Sequence, residues 1–309
     1  MKKAIVTGPT GAVGVALINK LLQQGIHVTA IVRPGSERST HISQNKNLEI
    51  IYCDLSKLNS LADQLEKKYN IFYHLAWAGT VGNARNDLTL QTKNIQYTLD
   101  AVNLADKLGC KVFIGAGSQA EYGRVEGELS SSTPVNPENG YGMAKLCAGQ
   151  MSRILCKSMN IKHIWVRILS VYGPYDTENS LIMYTIQKLL KDEKTSFTKA
   201  EQLWDYLYSE DAATALYLLG DKGKDGETYC LGSGNAEPLK KYIIKIRTIL
   251  EKNIDLGIGE IPYSERQVMH LCANIKTLQD DINYQPQFTF DEGIRKTIEW
   301  YKKKHREIQ

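Results

Sequence analysis

The sequence of 309 residues has no long apolar run and no large excess of charge of one sign. Without a run of about 18 apolar residues, a membrane-spanning helix is not expected. The 38 basic and 34 acidic residues leave a formal net charge of +4, and only residues 302–304 form a basic block. Binding to nucleic acid is therefore not expected either. The apolar segment after Met1 is too short for the core of a secretory leader, so we expect a cytoplasmic protein.

Cysteine and histidine residues are few and scattered. The closest two of the six cysteines, Cys147 and Cys156, are nine residues apart, and the sequence contains neither Cys-x-x-Cys nor His-Glu-x-x-His. Structural zinc sites and disulfide frameworks usually need tighter clusters than these. We therefore expect free thiols in a reducing compartment and no bound metal ion.

The first half of the chain alternates short apolar segments with amphipathic ones. Strands are predicted at 3–7, 27–32, 48–53, 71–75, 112–115 and 163–168, and helices at 13–24, 58–68, 87–108 and 141–159. This alternation predicts an α/β fold of Rossmann type, a doubly wound parallel sheet with helices on both faces. We expect residues 1–170 to form a dinucleotide-binding domain of this kind.

The second half is less regular. Helices are predicted at 181–191, 206–220, 238–250 and 291–303, with a short strand at 228–231. These elements suggest a smaller, irregular α/β lobe over residues 171–309, with a segment near 205–233 returning to the main sheet. Such a lobe would cover the carboxyl edge of the strands, where open α/β sheets bind their ligands.

A glycine-rich turn joins the first predicted strand to the first helix. The segment Gly8-Pro-Thr10-Gly11-Ala12-Val13-Gly14 has the spacing GxxGxxG. The first glycine permits the sharp turn, the second lets the backbone approach a pyrophosphate, and the third lets the helix pack closely on the sheet. The free amides at the helix start would bind the phosphates. Because the turn follows a strand and opens a helix, it predicts dinucleotide binding.

The position that usually selects between the two nicotinamide dinucleotides is basic in this chain. An acidic residue about 20 residues beyond the turn would bind the adenosine ribose, but Arg33 occupies that place and Arg38 adds a second cation. A planar guanidinium can pair with a 2′-phosphate, which favours NADP(H) over NAD(H). Asp54, followed by Leu55 after the third strand, would either accept a hydrogen bond from adenine or cap a helix.

Tyr141 and Lys145 stand one helical turn apart in Tyr-Gly-Met-Ala-Lys. A tyrosine, whose ordinary pKa is about 10, needs a neighbouring cation to exchange protons at neutral pH. Tyr184 and Lys188 have the same spacing, but only Tyr141 is preceded by a serine, Ser118, at the end of a predicted strand. The hydroxyl of Ser118 could polarise a substrate carbonyl, so we expect these three residues to be catalytic.

Together these motifs resemble the extended short-chain dehydrogenase/reductase family of nucleotide-sugar epimerases, dehydratases and reductases. Further matching segments follow the family's order along most of the chain: His74-Leu75-Ala76, Asn94, Tyr122-Gly123, 167–174, Asp205-Tyr206, Asp211 and 291–294. The resemblance implies an NAD(P)-dependent oxidoreductase or epimerase with Tyr141 as general acid/base, Lys145 as its tuner and ribose ligand, and Ser118 as carbonyl polariser. It also implies cofactor contacts from Leu75, Ala76, Trp77, Asn94 and Ile168.

Departures from the family's pattern narrow the reaction. Dehydratases of this family carry an acid/base pair directly after the serine, but here Gln119 and Ala120 stand there, and Glu121 comes one residue too late. We therefore expect hydride transfer at one carbon, by an NADPH-dependent reductase of a nucleoside-diphosphate 4-keto-6-deoxyhexose with Tyr141 as proton donor. The alternative is a nucleotide-sugar 4-epimerase that retains its cofactor. A non-catalytic NADP(H)-binding sensor is the rival of a different class.

The residues expected to bind the nucleotide sugar are Ser118, Glu121, Tyr141, Trp204 and Arg266. Trp204 stands where relatives usually have an arginine for the diphosphate, while Arg266 matches a second such arginine. Trp204 could stack on a base or simply pack within the lobe. The resemblance also implies a homodimer through helices 87–108 and 141–159, whose candidate apolar contacts are Met143, Leu146, Met151, Leu155 and Met159.

Overall fold

The computed structural model of the chain describes residues 1–306. Its strands are β1 (Lys3–Thr7), β2 (His27–Val32), β3 (Leu48–Tyr52), β4 (Ile71–His74), β5 (Val112–Ser118), β6 (Lys162–Ile168), β7 (Ser170–Tyr172), β8 (Leu203–Trp204), β9 (Tyr206–Tyr208), β10 (Thr228–Leu231), β11 (Glu237–Pro238) and β12 (His270–Leu271). Its α-helices are α1 (Ala12–Gln23), α2 (Leu88–Lys107), α3 (Gly140–Ser158), α4 (Leu181–Leu190), α5 (Ser209–Lys222), α6 (Leu239–Ile249), α7 (Lys276–Ile282) and α8 (Phe290–Arg306).

Seven parallel strands form the main sheet in the order β10-β6-β5-β4-β1-β2-β3. From β1 the chain adds strands outward in one direction to β3, and from β4 it adds strands in the opposite direction to β10. The carboxyl ends of the adjacent strands β1 and β4 therefore border a crevice. Ligands of doubly wound sheets bind at such a switch point. The predicted Rossmann-type fold is confirmed.

Both faces of the sheet are covered by helices. Residues of α1, α5 and α7 form one buried apolar cluster with the sheet, and residues of α2 and α3 form another on the opposite face. Strands covered on both sides are expected to be almost continuously apolar, and Ala4, Ile5 and Val6 of β1 are all fully buried. Among residues 1–306, no helix has the length and apolarity needed to cross a bilayer.

Two of the predicted helices differ in the structure. Residues 58–68 were expected to be α-helical, but a 3-10 helix spans Leu55–Asp63. There the hydroxyl of Ser60 donates to the carbonyl of Lys57, a local bond that competes with the helical pattern. The segment 206–220 begins with strand β9, which pairs with β7, and α5 starts only at Ser209. The helical periodicity of this segment predicted one continuous helix, because no turn separates β9 from α5.

The second half of the chain adds a lobe with its own apolar core. It contains a three-stranded sheet in the order β11-β8-β12 and a two-stranded sheet of β7 and β9. Aromatic side chains dominate the core, among them Tyr172, Phe197, Tyr208 and Tyr242. Asp205, between β8 and β9, accepts hydrogen bonds from the backbone amides of Ser233 and Gly234, which follow β10. This buried carboxylate therefore ties the lobe to the edge of the main sheet.

Candidate active site

The glycine-rich turn leads from β1 into α1 at the switch point of the sheet. Gly8 has a φ of +68°, and a Cβ there would lie 2.6 Å from the backbone nitrogen of Ala76. A Cβ on Gly14 would lie 2.2 Å from the carbonyl oxygen of Gly8. Gly11, the N-cap residue of α1, faces open space and leaves the first amides of the helix without a side-chain cap. These features fit a dinucleotide pyrophosphate at the helix start.

A cavity of about 570 Å³ opens beside this turn. Its walls come from the turn, from the ends of β2 and β3, and from the segment after β4. The predicted cofactor-binding residues that line it are Gly8, Thr10, Arg33, Arg38, Asp54, Leu55, Ala76 and Trp77. The cavity has the position that the adenosine half of the cofactor takes in this type of fold, and Arg33 and Arg38 lie exposed at its rim.

Asp54 has the capping role that the sequence left open. Its Oδ1 accepts hydrogen bonds from the backbone nitrogen and the hydroxyl of Ser56, at 3.0 Å and 2.7 Å. These bonds, with the nearby charge of Arg33, hold the pKa of the Asp54 carboxyl below its usual range. The carboxylate also borders the cavity, so a contact with adenine stays a prediction.

Other predicted cofactor residues lie away from this cavity. Val13 and Leu75 pack against the buried cluster around α1, and Ala12 is the first residue of that helix. Ile168 ends β6 in register with Ser118 on β5. Asn94 is buried on α2, where its Oδ1 accepts from the backbone nitrogen of Ala78 at 3.0 Å and its Nδ2 donates to the carbonyl of Ala78 at 2.9 Å. Asn94 thus supports the loop beside the cavity.

Ser118, Tyr141 and Lys145 come together at the carboxyl end of β5. Ser118 ends the strand, and its hydroxyl accepts a hydrogen bond from the backbone nitrogen of Ala120 at 3.2 Å. The same hydroxyl lies near Tyr141, at the start of α3. Lys145 follows one turn later; its Nζ donates to the carbonyl of Ala116 at 2.6 Å and lies 3.8 Å from the centre of the Trp77 ring. All three predicted catalytic residues are buried. The site can therefore hold a proton on a phenol near a hydroxyl, an arrangement suited to a single carbonyl oxygen.

Burial and neighbouring charges set the protonation of this site. Burial raises the pKa of Tyr141, while the neighbouring hydroxyl of Ser118 and the positive charge of Arg85 lower it. Burial also lowers the pKa of Lys145 to about 7. The phenol therefore stays protonated at neutral pH. Arg85 belongs to no sequence motif, so it was not predicted as a site residue.

Glu121 lies in the interior instead of facing a substrate. Its carboxylate is fully buried and accepts hydrogen bonds from the backbone nitrogen of Ser118 at 2.8 Å, from Trp165 Nε1 at 3.0 Å and from Arg167 Nε at 2.7 Å. A buried carboxylate needs such partners to offset its loss of hydration. This placement corrects the expectation that Glu121 contacts substrate. Instead, the residue orients the end of β5 that carries Ser118.

A second cavity, of about 560 Å³, lies in the smaller lobe. Trp204 lines it, and its indole Nε1 donates to the hydroxyl of Ser170 at 2.8 Å. Arg266 is exposed and does not border this cavity, although the next residue, Gln267, does. Gln202, which the sequence did not single out, is a buried wall residue whose Oε1 has no hydrogen-bond partner among the described residues. An amide in this state is suited to a polar ligand.

A cleft of about 1010 Å³ lies between the two lobes and borders both cavities. It shares Arg38 with the cavity beside the glycine-rich turn, and Asp176 with the cavity of the smaller lobe. Its walls include the rings of His41 and Tyr175, whose centres are 4.5 Å apart. The three spaces thus surround the carboxyl edge of the sheet. Within residues 1–306, no group of three or more His, Cys, Asp or Glu side chains is placed to hold a metal ion.

Comparison with known families and curated proteins gives matches along most of the chain. A family model described as "NAD dependent epimerase/dehydratase family" matches residues 4–232. A dTDP-glucose 4,6-dehydratase of Escherichia coli is 30% identical over 184 residues, which is 56% of this chain and 50% of that protein. The match therefore spans about half the length of this relative. CDP-abequose synthase of Salmonella typhimurium is 22% identical over 301 residues, covering 95% of this chain and 96% of that protein.

Solved structures share the whole fold. UDP-N-acetylglucosamine 4-epimerase from Methanobrevibacter ruminantium M1 superposes with a TM-score of 0.89 at 24% identity, covering 98% of this chain and 99% of that one. A dTDP-glucose 4,6-dehydratase from Bacillus anthracis, in complex with NAD, superposes with a TM-score of 0.86 at 20% identity, covering 99% and 98%. At these identities the likeness shows the architecture alone.

Proposed function

Because the chain belongs to the NAD-dependent epimerase/dehydratase family, we propose that it is an NADPH-dependent reductase of a nucleoside-diphosphate 4-keto-6-deoxyhexose. The observation that carries this proposal is the buried trio of Ser118, Tyr141 and Lys145, with no acid at the two positions directly after Ser118. The trio is suited to proton transfer at one carbonyl oxygen.

Elimination chemistry has little support in this chain. The resemblance implies that a dehydratase needs an acid and a base directly after the serine, and Gln119 and Ala120 can be neither. Glu121 is committed to Arg167 and Trp165 inside the protein, so its carboxylate is not free to exchange protons with a sugar. Although curated relatives are 4,6-dehydratases, simple hydride transfer is the better proposal here.

The protonated phenol of Tyr141 favours reduction. Burial raises its pKa, so the phenol holds its proton at neutral pH and can donate it to the oxygen at the sugar C4. Ser118, whose hydroxyl lies near the phenol, would donate to the same oxygen and polarise the carbonyl. When bound, NADPH would supply the hydride that goes to C4.

Support for NADP(H) comes from the rim of the adenosine cavity. Arg33 and Arg38 border it together with Ser36, and the one carboxylate on its wall, Asp54, is held by Ser56. Guanidinium groups are good partners for a 2′-phosphate, which NAD(H) lacks. The related Bacillus anthracis dehydratase binds NAD, so the cofactor preference is a feature we propose for this chain.

The test is an assay with NADPH and a panel of nucleoside-diphosphate 4-keto-6-deoxysugars. We expect consumption of NADPH together with formation of the 4-hydroxy sugar, and a loss of about 100-fold or more in kcat for Tyr141→Phe. Arg33→Asp should weaken NADPH binding by about 10- to 100-fold and leave NADH binding nearly unchanged.

Two outcomes would contradict the reductase. Interconversion of nucleotide sugars without added cofactor would favour a 4-epimerase that retains NAD(P). Tight NADPH binding without turnover of any sugar, and no effect of Tyr141→Phe, would favour a non-catalytic sensor. An NADPH affinity unchanged in Arg33→Asp would show that the proposed 2′-phosphate contact is wrong.

A further inference from the structure

A cation that the family motifs do not include lies against the acid/base tyrosine. Arg85 belongs to the 3-10 turn Gly82–Asn86, between β4 and α2. Its guanidinium carbon lies 4.4 Å from the centre of the Tyr141 ring. The side chain is half-buried, and its Nη1 donates to the carbonyl of Thr80 at 3.1 Å. A cation at this distance from a ring interacts favourably with it, and the more so when the phenol is ionised.

The turn that carries Arg85 is anchored to the helix that carries Tyr141. Asn86 Oδ1 accepts a hydrogen bond at 3.0 Å from the backbone nitrogen of Gly140, the first residue of α3. The amide of Gln91 on α2 donates to the carbonyl of Ala84 at 2.9 Å. The guanidinium therefore has a defined place beside the phenol.

Lys145, the cation that the resemblance assigns to this role, points elsewhere. Its Nζ lies 5.8 Å from the centre of the Tyr141 ring, but donates to Ala116 and lies closer to the Trp77 ring. Burial lowers the pKa of Lys145 to about 7, so its charge is only partial at neutral pH. The guanidinium of Arg85 is always charged.

We infer that Arg85, rather than Lys145, is the main cation that stabilises the ionised form of Tyr141 in this chain. Arg85 is then a positioning residue that acts on the reaction through Tyr141, and its catalytic importance rests on the proposed function. The charged and polar groups around Tyr141 are Arg85 from the turn after β4, Lys145 on α3, and Ser118 and Glu121 at the end of β5. Glu121 opposes ionisation, but Arg167 partly balances its charge.

The experiment follows the ionisation of Tyr141 directly. Protein labelled with ¹³C at the tyrosine ζ carbon is titrated by NMR over the pH range in which it stays folded. The Tyr141 signal is assigned by its absence in Tyr141→Phe. We expect Arg85→Gln to raise the midpoint of this signal by about one pH unit or more. Arg85→Lys should recover part of the shift, and Lys145→Met should change the midpoint less than Arg85→Gln does.

Arg153→Gln is the matched control, because it removes the same charge from an exposed position on α3. Arg153 is twelve residues from Tyr141, about 18 Å along the helix axis. Its removal should leave the Tyr141 titration unchanged. Circular dichroism and thermal unfolding check that each variant is folded.

Identical Tyr141 curves for the wild-type protein and Arg85→Gln, including no ionisation in either, would overturn the inference. So would a larger shift in Lys145→Met than in Arg85→Gln. The titration requires no turnover, so it is independent of the reductase assay. If the assay fails while Arg85→Gln shifts Tyr141 as expected, the proposed function is withdrawn and the inference about Arg85 stands.

Discussion

At the scale of single residues, Lys145 is a buried cation without a buried carboxylate at hydrogen-bond distance. Its side chain is almost fully buried, and its one hydrogen bond among the described residues goes to the carbonyl of Ala116. Burial lowers its pKa to about 7 from an ordinary value of 10.5. Such a shift is also a statement about folding, since the unfolded chain holds the proton more tightly than the folded protein.

Replacement of Lys145 by methionine should therefore stabilise the protein, and most strongly at low pH. Below pH 7 the lysine is protonated in both states, so the wild-type protein bears the full cost of burying the charge. As pH rises from about 7 to 10, the folded protein loses this proton first, and the cost declines. We expect Lys145→Met to raise the free energy of unfolding by about 2–4 kcal/mol at pH 6, and by much less at pH 9.

Urea unfolding of the two proteins at pH 6, 7.5 and 9 measures this difference. Lys188→Met is the matched control, because Lys188 has the same spacing from a tyrosine but forms a surface pair with Glu193. Its effect should be small at all three values of pH. A loss of stability in Lys145→Met at pH 6, or a difference that does not decline with pH, would show that the lysine is not buried as a costly charge.

The sequence identified those site residues that belong to motifs. Ser118, Tyr141 and Lys145 are side by side, as their spacing and order indicated. Arg85 and Gln202 were missed because neither stands in a recognisable pattern. Their importance comes from what packs around them: a tyrosine ring for Arg85 and a cavity wall for Gln202.

At the scale of elements, Glu121 and Arg167 join two neighbouring strands at the active site. Glu121 follows β5 and Arg167 lies near the end of β6, and both are buried. Removal of one partner of a buried ion pair leaves an uncompensated charge, whereas removal of both can be nearly neutral. Single and double substitutions of this buried pair should therefore differ in their effect on the free energy of unfolding, which is not expected for an exposed pair.

Arg167→Met should destabilise the protein by about 3–5 kcal/mol, because Glu121 would keep a buried charge without its cation. The double variant Glu121→Leu with Arg167→Met should lose less than Arg167→Met alone. Chemical denaturation measures both. The control is Arg124→Met, which breaks the partly exposed Arg124–Glu138 pair and should cost less than about 1 kcal/mol. A double variant less stable than the single one would contradict this account.

The strands and helices of the sheet domain were largely predictable, because each has a clear period and a clear end. The strand β9 was not, since only its pairing with β7 distinguishes it from the first turn of the helix that follows. The 3-10 helix Leu55–Asp63 was also missed, because its serine hydroxyls bond locally: Ser56 donates to the carboxylate of Asp54, and Ser60 donates to the carbonyl of Lys57. In both segments, the backbone conformation is set by contacts that the hydrophobic pattern of the sequence does not include.

At the scale of the whole molecule, an apolar strip lies exposed on α3. Met143, Met151 and Ile154 are 53%, 43% and 70% exposed and share one face of the helix, while Leu155 and Met159 pack against the core. Since α2 and α3 pack side by side, we propose that this face forms the four-helix homodimer that the family resemblance implies. Apolar side chains exposed in a row are typical of an interface.

Ile154→Asp should convert the dimer to a monomer, because it would bury a charge in the proposed interface. Sedimentation velocity at micromolar concentrations measures the change. Ile244→Asp, at an apolar residue of α6 that is 40% exposed, is the control and should leave the dimer intact. A wild-type protein that sediments as a monomer, or a dimer unaffected by Ile154→Asp, would contradict the proposal.

The sequence by itself determined the features that depend on neighbours along the chain. These are the glycine-rich turn, the alternation of strands and helices, the basic pair Arg33 and Arg38, and the spacing of Tyr141 and Lys145. Each follows from local geometry or from a repeat of a few residues, and a short segment is enough to express it.

The tertiary structure alone decided which charges meet at the site. Arg85 lies against the Tyr141 ring, although it comes 56 residues earlier in the chain. Glu121 accepts a hydrogen bond from Arg167, which comes 46 residues later. Lys145 points to a carbonyl on β5 rather than to the phenol one turn before it. These contacts depend on how distant elements pack, because the energy of a buried charge is set by the groups that surround it in space.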